Sequence, residues 1–350
     1  METKIRRVDP GHIEQHIIEE AGQLIAAGEL VAFPTETVYG LGGDAMSPMA
    51  SGKIYAAKGR PSDNPLIVHI ADFADMERVA ARIPEQAKKL ADAFWPGPLT
   101  MIVKKNGAVP EETTGGMDTV AVRMPDHPVA RELIKASGCL IAAPSANTSG
   151  RPSPTEASHV EMDLFGKIAM ILDGGPVGIG IESTIIDLTE PTPMILRPGY
   201  ITQEMLSKVL GEKVMVDPGI ISADDTRKPK APGMKYRHYA PKAEMVIVDG
   251  TEDAVISKIN ELVRRKKDDG KKAAVIASEE TSCYYEADIV LRIGKRSDED
   301  TIAQHLYKIL RECDELDVDE IYSESFQTPG LGQAIMNRLL KAAGHTVIRV

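Results

Sequence analysis

The stretch from Phe33 to Ala45 reads F-P-T-E-T-V-Y-G-L-G-G-D-A, which places hydroxyl groups and glycines directly after an apolar, strand-like segment. A helical pattern around Ile54 follows it. Its glycines, at 40, 42 and 43, permit backbone angles closed to other residues and let a ligand approach the chain, and its threonines supply hydroxyl groups. This composition is typical both of a tight strand-to-helix turn and of the rim of a small-molecule pocket, and the stretch alone does not choose between them.

Apolar strand-like runs alternate with helical patterns through residues 1–205. The predicted strands are Leu30–Phe33, Leu66–Ile70, Thr100–Val103, Val120–Arg123 and Ile168–Leu172, and the predicted helices include Ile13–Ala27 and Ala87–Phe94. Prolines are frequent at the strand ends, which indicates fixed loops on a rigid sheet, where functional sites tend to lie. The alternation predicts an α/β fold for this part of the chain.

A second, smaller α/β pattern begins at Met245. Strand candidates at Met245–Val248, Ala273–Ala277, Ile289–Ile293 and Glu320–Tyr322 alternate with helical runs at Ala254–Lys267 and Thr301–Leu310. This order predicts a parallel sheet with crossover helices. Residues 211–244 lack an apolar period, so we divide the chain into a domain at 1–210, an extended linker at 211–244 and a small domain at 245–350.

The composition is that of a globular protein and excludes several functional classes. Hydrophobic residues make up 43% and charged residues 27% of the chain, and the net charge of −11 argues against a general nucleic-acid coat. No apolar run is long enough to span a bilayer, and polar residues stand where a signal core would be, so we expect a cytoplasmic protein. The P-loop pattern and the G-x-S-x-G elbow are missing, and the three scattered cysteines fit neither a disulfide framework nor a zinc site.

Cationic side chains are predicted to lie at the ends of different strands in this acidic chain. They are Lys58, Arg60, Arg123, Arg151 and Arg197. Open α/β sheets bind ligands at strand ends, and clustered cations suit phosphate and carboxylate groups. The sequence therefore predicts a polyphosphate ligand.

Five motifs in register resemble the YrdC-type domain. They are P-T-E-T-V-Y-G-L at 34–41, K-G-R-P-S-D-N-P-L at 58–66, W-P-G-P-L-T at 95–100, A-P-S-A-N-T-S-G at 143–150 and E-S-T-I at 182–185. The stretch A-P-G-M-K-Y-R-H-Y-A-P at 231–241, followed by a smaller α/β domain, is similar to the long, two-domain threonylcarbamoyl-AMP synthases. The resemblance implies a YrdC-like open, twisted mixed sheet with helices, joined to a Rossmann-like parallel α/β domain.

The reaction implied by this resemblance is an ATP-dependent nucleotidyl transfer. L-threonine, bicarbonate or CO2, and ATP would give L-threonylcarbamoyl-AMP and pyrophosphate, with Mg2+ carried on the ATP phosphates and no protein metal cage. The product would serve N6-threonylcarbamoylation of adenosine 37 in tRNAs that read ANN codons, through a separate transferase complex. Direct contact with tRNA is the least supported of the implied partners.

The resemblance also implies roles for individual residues. Lys58 and Arg60 would be the catalytic cations, and Arg123 would pair bidentately with the substrate carboxylate. The implied threonine-binding residues are Thr35, His69, Arg123, Ala143 and Ser183. The implied nucleotide-binding residues are Lys58, Ser62, Asn64, Thr119, Ser145, Asn147, Arg151, Arg197 and Tyr236. An alanine at Lys58 is expected to leave the fold intact, because the lysine is taken to be exposed.

Two alternatives stay open on the residues alone. A non-catalytic RNA-binding protein could use the same concave cationic surface, although aromatic residues, which stack on single-stranded bases, make up only 4% of the chain. A nucleotidyltransferase that makes a different carbamoyl adenylate is the second alternative.

The segment Lys230–Pro241 is predicted to fold back over the mouth of the pocket as a lid. Its prolines restrict the backbone, and its tyrosines offer large faces with polar tips. Tyr236 would lie near the nucleotide, and His238 and Tyr239 would anchor the segment. Such a lid would exclude water and protect a labile adenylate from hydrolysis. The alternative is a plain tether between the domains.

Overall fold

The computed structural model describes residues 2–220, 239–327 and 330–350. These residues form two compact units. The first unit contains residues 2–149, 153–178 and 182–220, and the second contains 150–152, 179–181 and the described residues from 239 onward. Tyr236 and His238, on which most of the lid prediction depends, lie outside the described residues.

The first unit contains the strands and helices predicted from its sequence, together with further strands that the sequence pattern did not indicate. Its strands are β1 Lys4–Arg7, β2 Val31–Phe33, β3 Gly40–Asp44, β4 Ile67–His69, β5 Leu99–Lys104, β6 Thr119–Arg123, β7 Ile141–Ala142, β8 Met170–Asp173, β9 Thr184–Asp187, β10 Met194–Arg197 and β11 Met215–Val216. Its helices are α1 Gln15–Ala26, α2 Pro48–Lys58, α3 Glu85–Phe94, α4 Glu111–Thr114, α5 Pro128–Ser137, α6 Ala157–Leu164 and α7 Gln203–Leu210.

These strands form one mixed sheet, in the order β1-β8-β2-β3-β7-β4-β6-β5-β9-β10-β11 across the described residues. Parallel pairs such as β4 with β6 stand beside antiparallel pairs such as β5 with β6. The prediction of a mixed α/β sheet is therefore confirmed.

Helices cover both faces of this sheet. Along β2, Val31 and Phe33 join the cluster that contains Ile18 of α1 and Leu133 of α5, whereas Ala32 joins the cluster that contains Ile54 of α2. Side chains alternate between the two faces of a strand, so this division places α1 and α5 on one face and α2 on the other. Because β2 is buried on both faces, it has no polar alternation.

The opening stretch forms a hairpin, so the strand-to-helix turn considered for it is wrong. Residues Gly40, Gly42 and Gly43 lie in β3, which pairs antiparallel with β2, and α2 begins only after β3. None of the three has a positive φ, the backbone region in which a turn favours glycine. A Cβ atom at Gly42 would lie 2.8 Å from Ile141 Cγ2 and 2.9 Å from Phe33 Cε1, so close packing explains this glycine.

The first sheet also extends into the segment predicted to be linker. Met215 and Val216 form β11, parallel to β10, and the Met215 N–H donates to the Pro193 carbonyl at 2.9 Å. A two-residue strand is too short to show a hydrophobic period, which is why the sequence pattern did not reveal it.

The second unit is a smaller parallel α/β domain, as predicted. Its strands are β12 Glu244–Asp249, β13 Ala273–Ala277, β14 Ile289–Arg292, β15 Glu320–Glu324 and β16 Val347–Arg349, and its helices are α8 Glu252–Asp268, α9 Glu299–Glu315 and α10 Gly332–Ala342. The strand order is β14-β13-β15-β12-β16, with every pair parallel. None of the described helices is both long and apolar enough to cross a membrane.

A cavity of about 120 Å³ lies in the second unit and is lined in part by Glu324, Tyr285 and Arg296. The Glu324 carboxylate is 1% exposed and accepts hydrogen bonds from the Tyr285 hydroxyl at 2.7 Å and the Arg296 guanidinium at 2.6 Å. It also accepts from the Ser278 N–H at 3.1 Å and from the Thr281 hydroxyl. This buried carboxylate therefore orders the polar wall of the cavity.

Candidate active site

Adjacent strands of the first sheet bring together the polar residues predicted to bind threonine. In the register of the sheet, His69 at the end of β4 pairs with Arg123 at the end of β6, and Arg123 pairs with Thr100 of β5. His69 is 3% exposed and Arg123 is 4% exposed. Paired residues project from the same face, so an imidazole, a guanidinium and a hydroxyl form one buried row.

Ser183 and Arg197 continue this row. The Ser183 hydroxyl lies 2.7 Å from the Thr100 hydroxyl and accepts a hydrogen bond from Arg197 Nη2 at 3.0 Å. Arg197 Nε also donates to the Ser183 carbonyl at 3.0 Å. A residue assigned to the nucleotide and a residue assigned to threonine are thus in direct contact. Thr100 was missed as a site residue, although it ends the W-P-G-P-L-T motif.

The His69 side chain is held neutral. Burial lowers its pKa to about 3, the positive charge of Arg123 adds to the shift, and the backbone carbonyls of Ile67 and Ile141 oppose it. Its Nδ1 lies 3.1 Å from the Ile67 carbonyl oxygen, which can only accept, so Nδ1 carries the proton of the neutral ring. The ring therefore adds no charge beside Arg123 at neutral pH.

This neutral state predicts a dependence of stability on pH. The folded-state pKa of His69 is below its unfolded value, so between about pH 3 and pH 6.5 the unfolded chain binds a proton that the folded chain does not. The stability that the neutral His69 contributes above pH 6.5 is therefore lost progressively as pH falls from 6.5 towards 3. As pH is lowered from 6 to 4.5, the free energy of unfolding measured with urea should decrease in the wild type. Its slope should exceed that of a His69→Gln variant by about 1.4 kcal/mol per pH unit. Equal slopes would contradict a buried neutral His69.

Thr35 lies in the loop between β2 and β3 and is 2% exposed. Its hydroxyl donates to the Val38 carbonyl at 2.6 Å and accepts from the Thr37 and Val38 N–H groups at 3.2 Å. It also lies 2.9 Å from the Thr37 hydroxyl. The hydroxyl of Thr35 therefore closes the loop that follows β2, a use that the sequence did not indicate.

The same loop carries Glu36, which the sequence analysis did not select. Its Oε1 lies 2.8 Å from Nη2 of Arg123, with side-chain exposures of 13% and 5%. The angles do not suit a hydrogen bond, so the contact is an ion pair without one. Burial lowers the pKa of His127, and the negative charges of Glu36 and Asp126 oppose that shift. The place of Glu36 in the P-T-E-T-V-Y-G-L motif, directly after Thr35, was the available signal.

Lys58 is the last residue of α2 and is buried, so its expected position at a strand end and its assumed exposure are both wrong. It is 2% exposed, and its Nζ donates to the Ser145 carbonyl, to the Asn147 carbonyl at 2.5 Å and to Asn147 Oδ1 at 3.3 Å. The Ser145 hydroxyl donates to the same Asn147 Oδ1 at 2.5 Å. Three predicted nucleotide-binding residues therefore form one hydrogen-bonded cluster.

This Lys58 cluster adjoins the buried row. Residues 143–147 directly follow β7, and β7 pairs with β4 through Ile141 and His69. The Ala143 N–H donates to the Ile67 carbonyl of β4 at 2.9 Å. The sheet therefore places Ala143 of the threonine set and Ser145 of the nucleotide set on one loop beside His69.

The loop after α2 holds three further candidates. Arg60 donates to the Asn64 carbonyl at 3.3 Å and to the Pro65 carbonyl at 3.1 Å, so its guanidinium folds over its own loop. Ser62 is exposed. Asn64 is 2% exposed, and its side-chain oxygen has no hydrogen-bond partner among the described residues. Asn64 therefore keeps an acceptor available for a ligand or water.

The remaining residues predicted to bind the nucleotide or to form the lid are not placed in the buried row. Thr119 begins β6, four positions before Arg123, which separates them by about 13 Å along the strand. Arg151 belongs to the second unit, where its Nη2 lies 3.6 Å from Asp314 Oδ2. Tyr239 also lies in the second unit, with a φ of 63° and its ring 5.0 Å from that of Tyr307. Tyr236 and His238 are not among the described residues.

No protein metal site is visible in the described ranges, where no group of three or more His, Cys, Asp or Glu side chains could hold an ion.

Comparisons with known proteins identify both units. The family Sua5_yciO_yrdC, described as "Telomere recombination", matches residues 23–199, and the family Sua5_C, described as "Threonylcarbamoyl-AMP synthase, C-terminal domain", matches residues 201–344. The Pyrococcus abyssi threonylcarbamoyl-AMP synthase is 52% identical over 97% of this chain and 97% of its own length. The Bacillus subtilis threonylcarbamoyl-AMP synthase is 51% identical over 95% of this chain and 94% of its own.

Solved structures agree with these sequence comparisons. The crystal structure of Pyrococcus abyssi Sua5 complexed with L-threonine matches with a TM-score of 0.94 and 50% identity, covering 99% of this chain and 100% of that one. Escherichia coli YciO, at 23% identity and a TM-score of 0.52 over 56% of this chain, shares the fold of the first unit. The chain therefore belongs to the threonylcarbamoyl-AMP synthase family, in the long form that carries both domains.

Proposed function

We propose that the buried row and the adjoining Lys58 cluster form the site at which this chain, a nucleotidyltransferase of its family, makes L-threonylcarbamoyl-AMP. The substrates are L-threonine, bicarbonate or CO2, and ATP, and pyrophosphate is the second product. The observation that carries the proposal is the arrangement of His69, Arg123, Ser183 and Arg197 at neighbouring strand ends. A threonine complex of a relative at 50% identity supports it.

The threonine subsite is proposed to lie along the buried row. Arg123 is placed to bind the substrate carboxylate, because its planar fork matches a carboxylate in a buried setting. His69 and Ser183 would surround the rest of the substrate. Ala143 would add an apolar contact, and Thr35 would hold the loop beside them.

The nucleotide subsite is proposed to lie on the Lys58 side of the row. Lys58 and Arg60 would neutralise phosphate charge, and Arg197 would bridge the two subsites through Ser183. The other proposed nucleotide contacts are Ser62, Asn64, Thr119, Ser145, Asn147, Arg151 and Tyr236. Mg2+ would arrive with ATP and help to neutralise the charge of its phosphates.

The chemistry requires positioning more than a covalent side chain. The threonine ammonium group loses a proton, and the resulting amine and bicarbonate form a carbamate with loss of water. A carbamate oxygen then attacks the α-phosphorus as pyrophosphate leaves. Holding these reactants in line can contribute roughly 7–11 kcal/mol to lowering the barrier. Fixed cations at the phosphates would stabilise the charge that develops there.

We propose that the product passes to a separate transferase complex for N6-threonylcarbamoylation of adenosine 37 in tRNAs that read ANN codons. The names of the curated relatives favour this enzymatic role over a non-catalytic RNA-binding protein. Direct tRNA contact is not needed for synthesis of the adenylate.

The proposal is tested by incubating the chain with threonine, bicarbonate and Mg-ATP in the absence of tRNA. Mass spectrometry should detect threonylcarbamoyl-AMP, and pyrophosphate release should require threonine. Pyrophosphate release that is equal without threonine, or adenylate formation only on another acceptor, would overturn it.

The substrate hydroxyl should also matter. If the neutral His69 and the hydroxyl of Ser183 form hydrogen bonds with the threonine hydroxyl, these buried groups lose their partner when 2-aminobutyrate, which lacks that hydroxyl, is bound instead. We expect its kcat/KM to be roughly 10- to 100-fold below that of threonine. Comparable kcat/KM values for the two amino acids in the pyrophosphate assay would argue against a pocket that recognises the hydroxyl.

A further inference from the structure

Glu36 presents an unusual burial of charge. Its side chain is 13% exposed, and in the described part of the chain both carboxylate oxygens are buried without a hydrogen-bond donor. A buried carboxylate that lacks donors is costly, because the desolvation of each oxygen is not repaid. Groups of this kind are rare in folded proteins and call for an explanation.

Arg123 compensates the charge of Glu36 but not its hydrogen-bonding capacity. Nη2 of Arg123 lies 2.8 Å from Oε1 of Glu36, yet neither atom has a hydrogen-bond partner among the described residues. Within the part of the chain that the structure describes, this guanidinium donates one hydrogen bond, from Nε to the Gly97 carbonyl at 3.4 Å. The ion pair therefore retains two unused acceptors and at least one unused donor, side by side in the buried row.

These unused groups match the two charges of an α-amino acid. At neutral pH such a molecule carries a carboxylate and an ammonium group one carbon apart, and an ammonium has three N–H donors. With the carboxylate on Arg123 and the ammonium on Glu36, the four charges alternate in sign. The Glu36–Arg123 pair has no net charge, and neither has the ligand, so binding brings no uncompensated charge into the site.

We propose that Glu36 is the binding residue for the substrate ammonium, which makes Glu36 and Arg123 a clamp for a zwitterion. The inference rests on the proposed function, since it places the amino acid on the buried row. The inference goes beyond the proposed function by naming the residue that selects an amino acid over a hydroxy acid. A hydroxy-acid anion would bring one net negative charge beside Glu36 and would offer its carboxylate a single O–H donor in place of a positive charge and three N–H donors.

A competing role for Glu36 makes the opposite prediction. A carboxylate that only occupies Arg123 in the empty site would compete with the carboxylate of the substrate. Removing its charge would then tighten threonine binding, whereas removing an ammonium partner weakens it. The sign of the change in affinity separates the two roles.

The experiment measures binding by calorimetry without ATP, for L-threonine and for the matching 2,3-dihydroxybutanoate, in which a hydroxyl replaces the ammonium. The wild type should bind threonine at least about 10-fold more tightly than the hydroxy acid. Glu36→Gln should weaken threonine binding by about 10- to 100-fold and should not weaken the hydroxy acid, so the preference collapses. Glu29→Gln is the matched control, because Glu29 is a carboxylate of the same unit that pairs with Lys53 at 2.8 Å and is 33% exposed. This control should keep the wild-type preference.

An unchanged preference in Glu36→Gln, or tighter threonine binding, would overturn the role of Glu36. Thermal unfolding of the variant without ligand shows whether it is folded, and Glu36→Ala provides a second variant if the glutamine form does not fold. Threonine binding and adenylate synthesis by the wild type are measured in parallel. If both are absent, the proposed function fails; if both are present and the preference survives at Glu36→Gln, only the clamp fails.

Discussion

An Arg123→Ala variant is expected to lose about 10³-fold in kcat/KM for threonine, because truncation of one partner in a buried charge pair removes on the order of 2–5 kcal/mol of binding energy. Arg123 is 4% exposed, so bulk water cannot replace its guanidinium. Removal of Arg123 also leaves the Glu36 carboxylate without a counterion, which should lower the free energy of unfolding by roughly 3–5 kcal/mol. Initial rates of pyrophosphate release and urea unfolding measure the two effects.

A double variant separates stability from substrate binding. In Arg123→Ala with Glu36→Gln the unpaired buried charge is gone, so most of the lost stability should return. Turnover should not return, because no guanidinium binds the substrate carboxylate. A single Arg123→Ala variant with wild-type kcat/KM, or a double variant that recovers activity, would contradict the assignment of Arg123 to the carboxylate.

Lys58→Ala is expected to lower turnover about 10²- to 10³-fold, the range found when one positioned donor is removed from a developing negative charge. Because Lys58 is buried, the same change should also destabilise the first unit. It leaves the carbonyls of Ser145 and Asn147 without their lysine donor, and an unsatisfied buried polar group costs about 1–3 kcal/mol. The expected result is a lower unfolding temperature together with a lower rate of pyrophosphate release.

Lys104→Ala is the matched control for Lys58. Lys104 lies in the same unit, is 51% exposed and pairs with Asp118 at 2.8 Å, so its removal should change stability by less than about 0.5 kcal/mol. Turnover is compared at a temperature at which all three proteins are folded. Wild-type turnover of Lys58→Ala under these conditions would exclude a role in phosphate neutralisation. If Lys58→Ala had the same unfolding temperature as Lys104→Ala, the buried hydrogen bonds from Lys58 to Ser145 and Asn147 would not stabilise the first unit.

The positions of many strands and helices followed from local patterns in the chain. The run Thr100–Val103 became β5 at Leu99–Lys104, and Ala273–Ala277 became β13 with the same bounds. Apolar runs of this kind are recognisable because burial on both faces removes polar alternation. Glycine, by contrast, was misread in β3, since a glycine required by a close neighbour is indistinguishable in sequence from one required by a turn.

Candidate site residues were recognised partly as cations near predicted strand ends, such as Arg123 and Arg197, and their individual roles came from the resemblance to a family. The sequence could not show that His69 and Arg123 stand side by side, since that depends on the pairing of β4 with β6 across more than fifty residues of chain. Nor could it show that Lys58 is buried, because an isolated lysine near the end of a helix has no sequence period that reveals its surroundings.

The sequence by itself thus determined the α/β class, the mixed and parallel sheets implied by its motifs, and most of the residues that line the buried row. The tertiary structure alone decided the hairpin at β2 and β3, the burial of Lys58 and the pairing of Glu36 with Arg123. The physical reason is that periodicity and turn chemistry are local properties of the chain. Register, burial and charge pairing are instead set by contacts between segments far apart in sequence, such as residues 36 and 123, and they exist only once the sheet has formed.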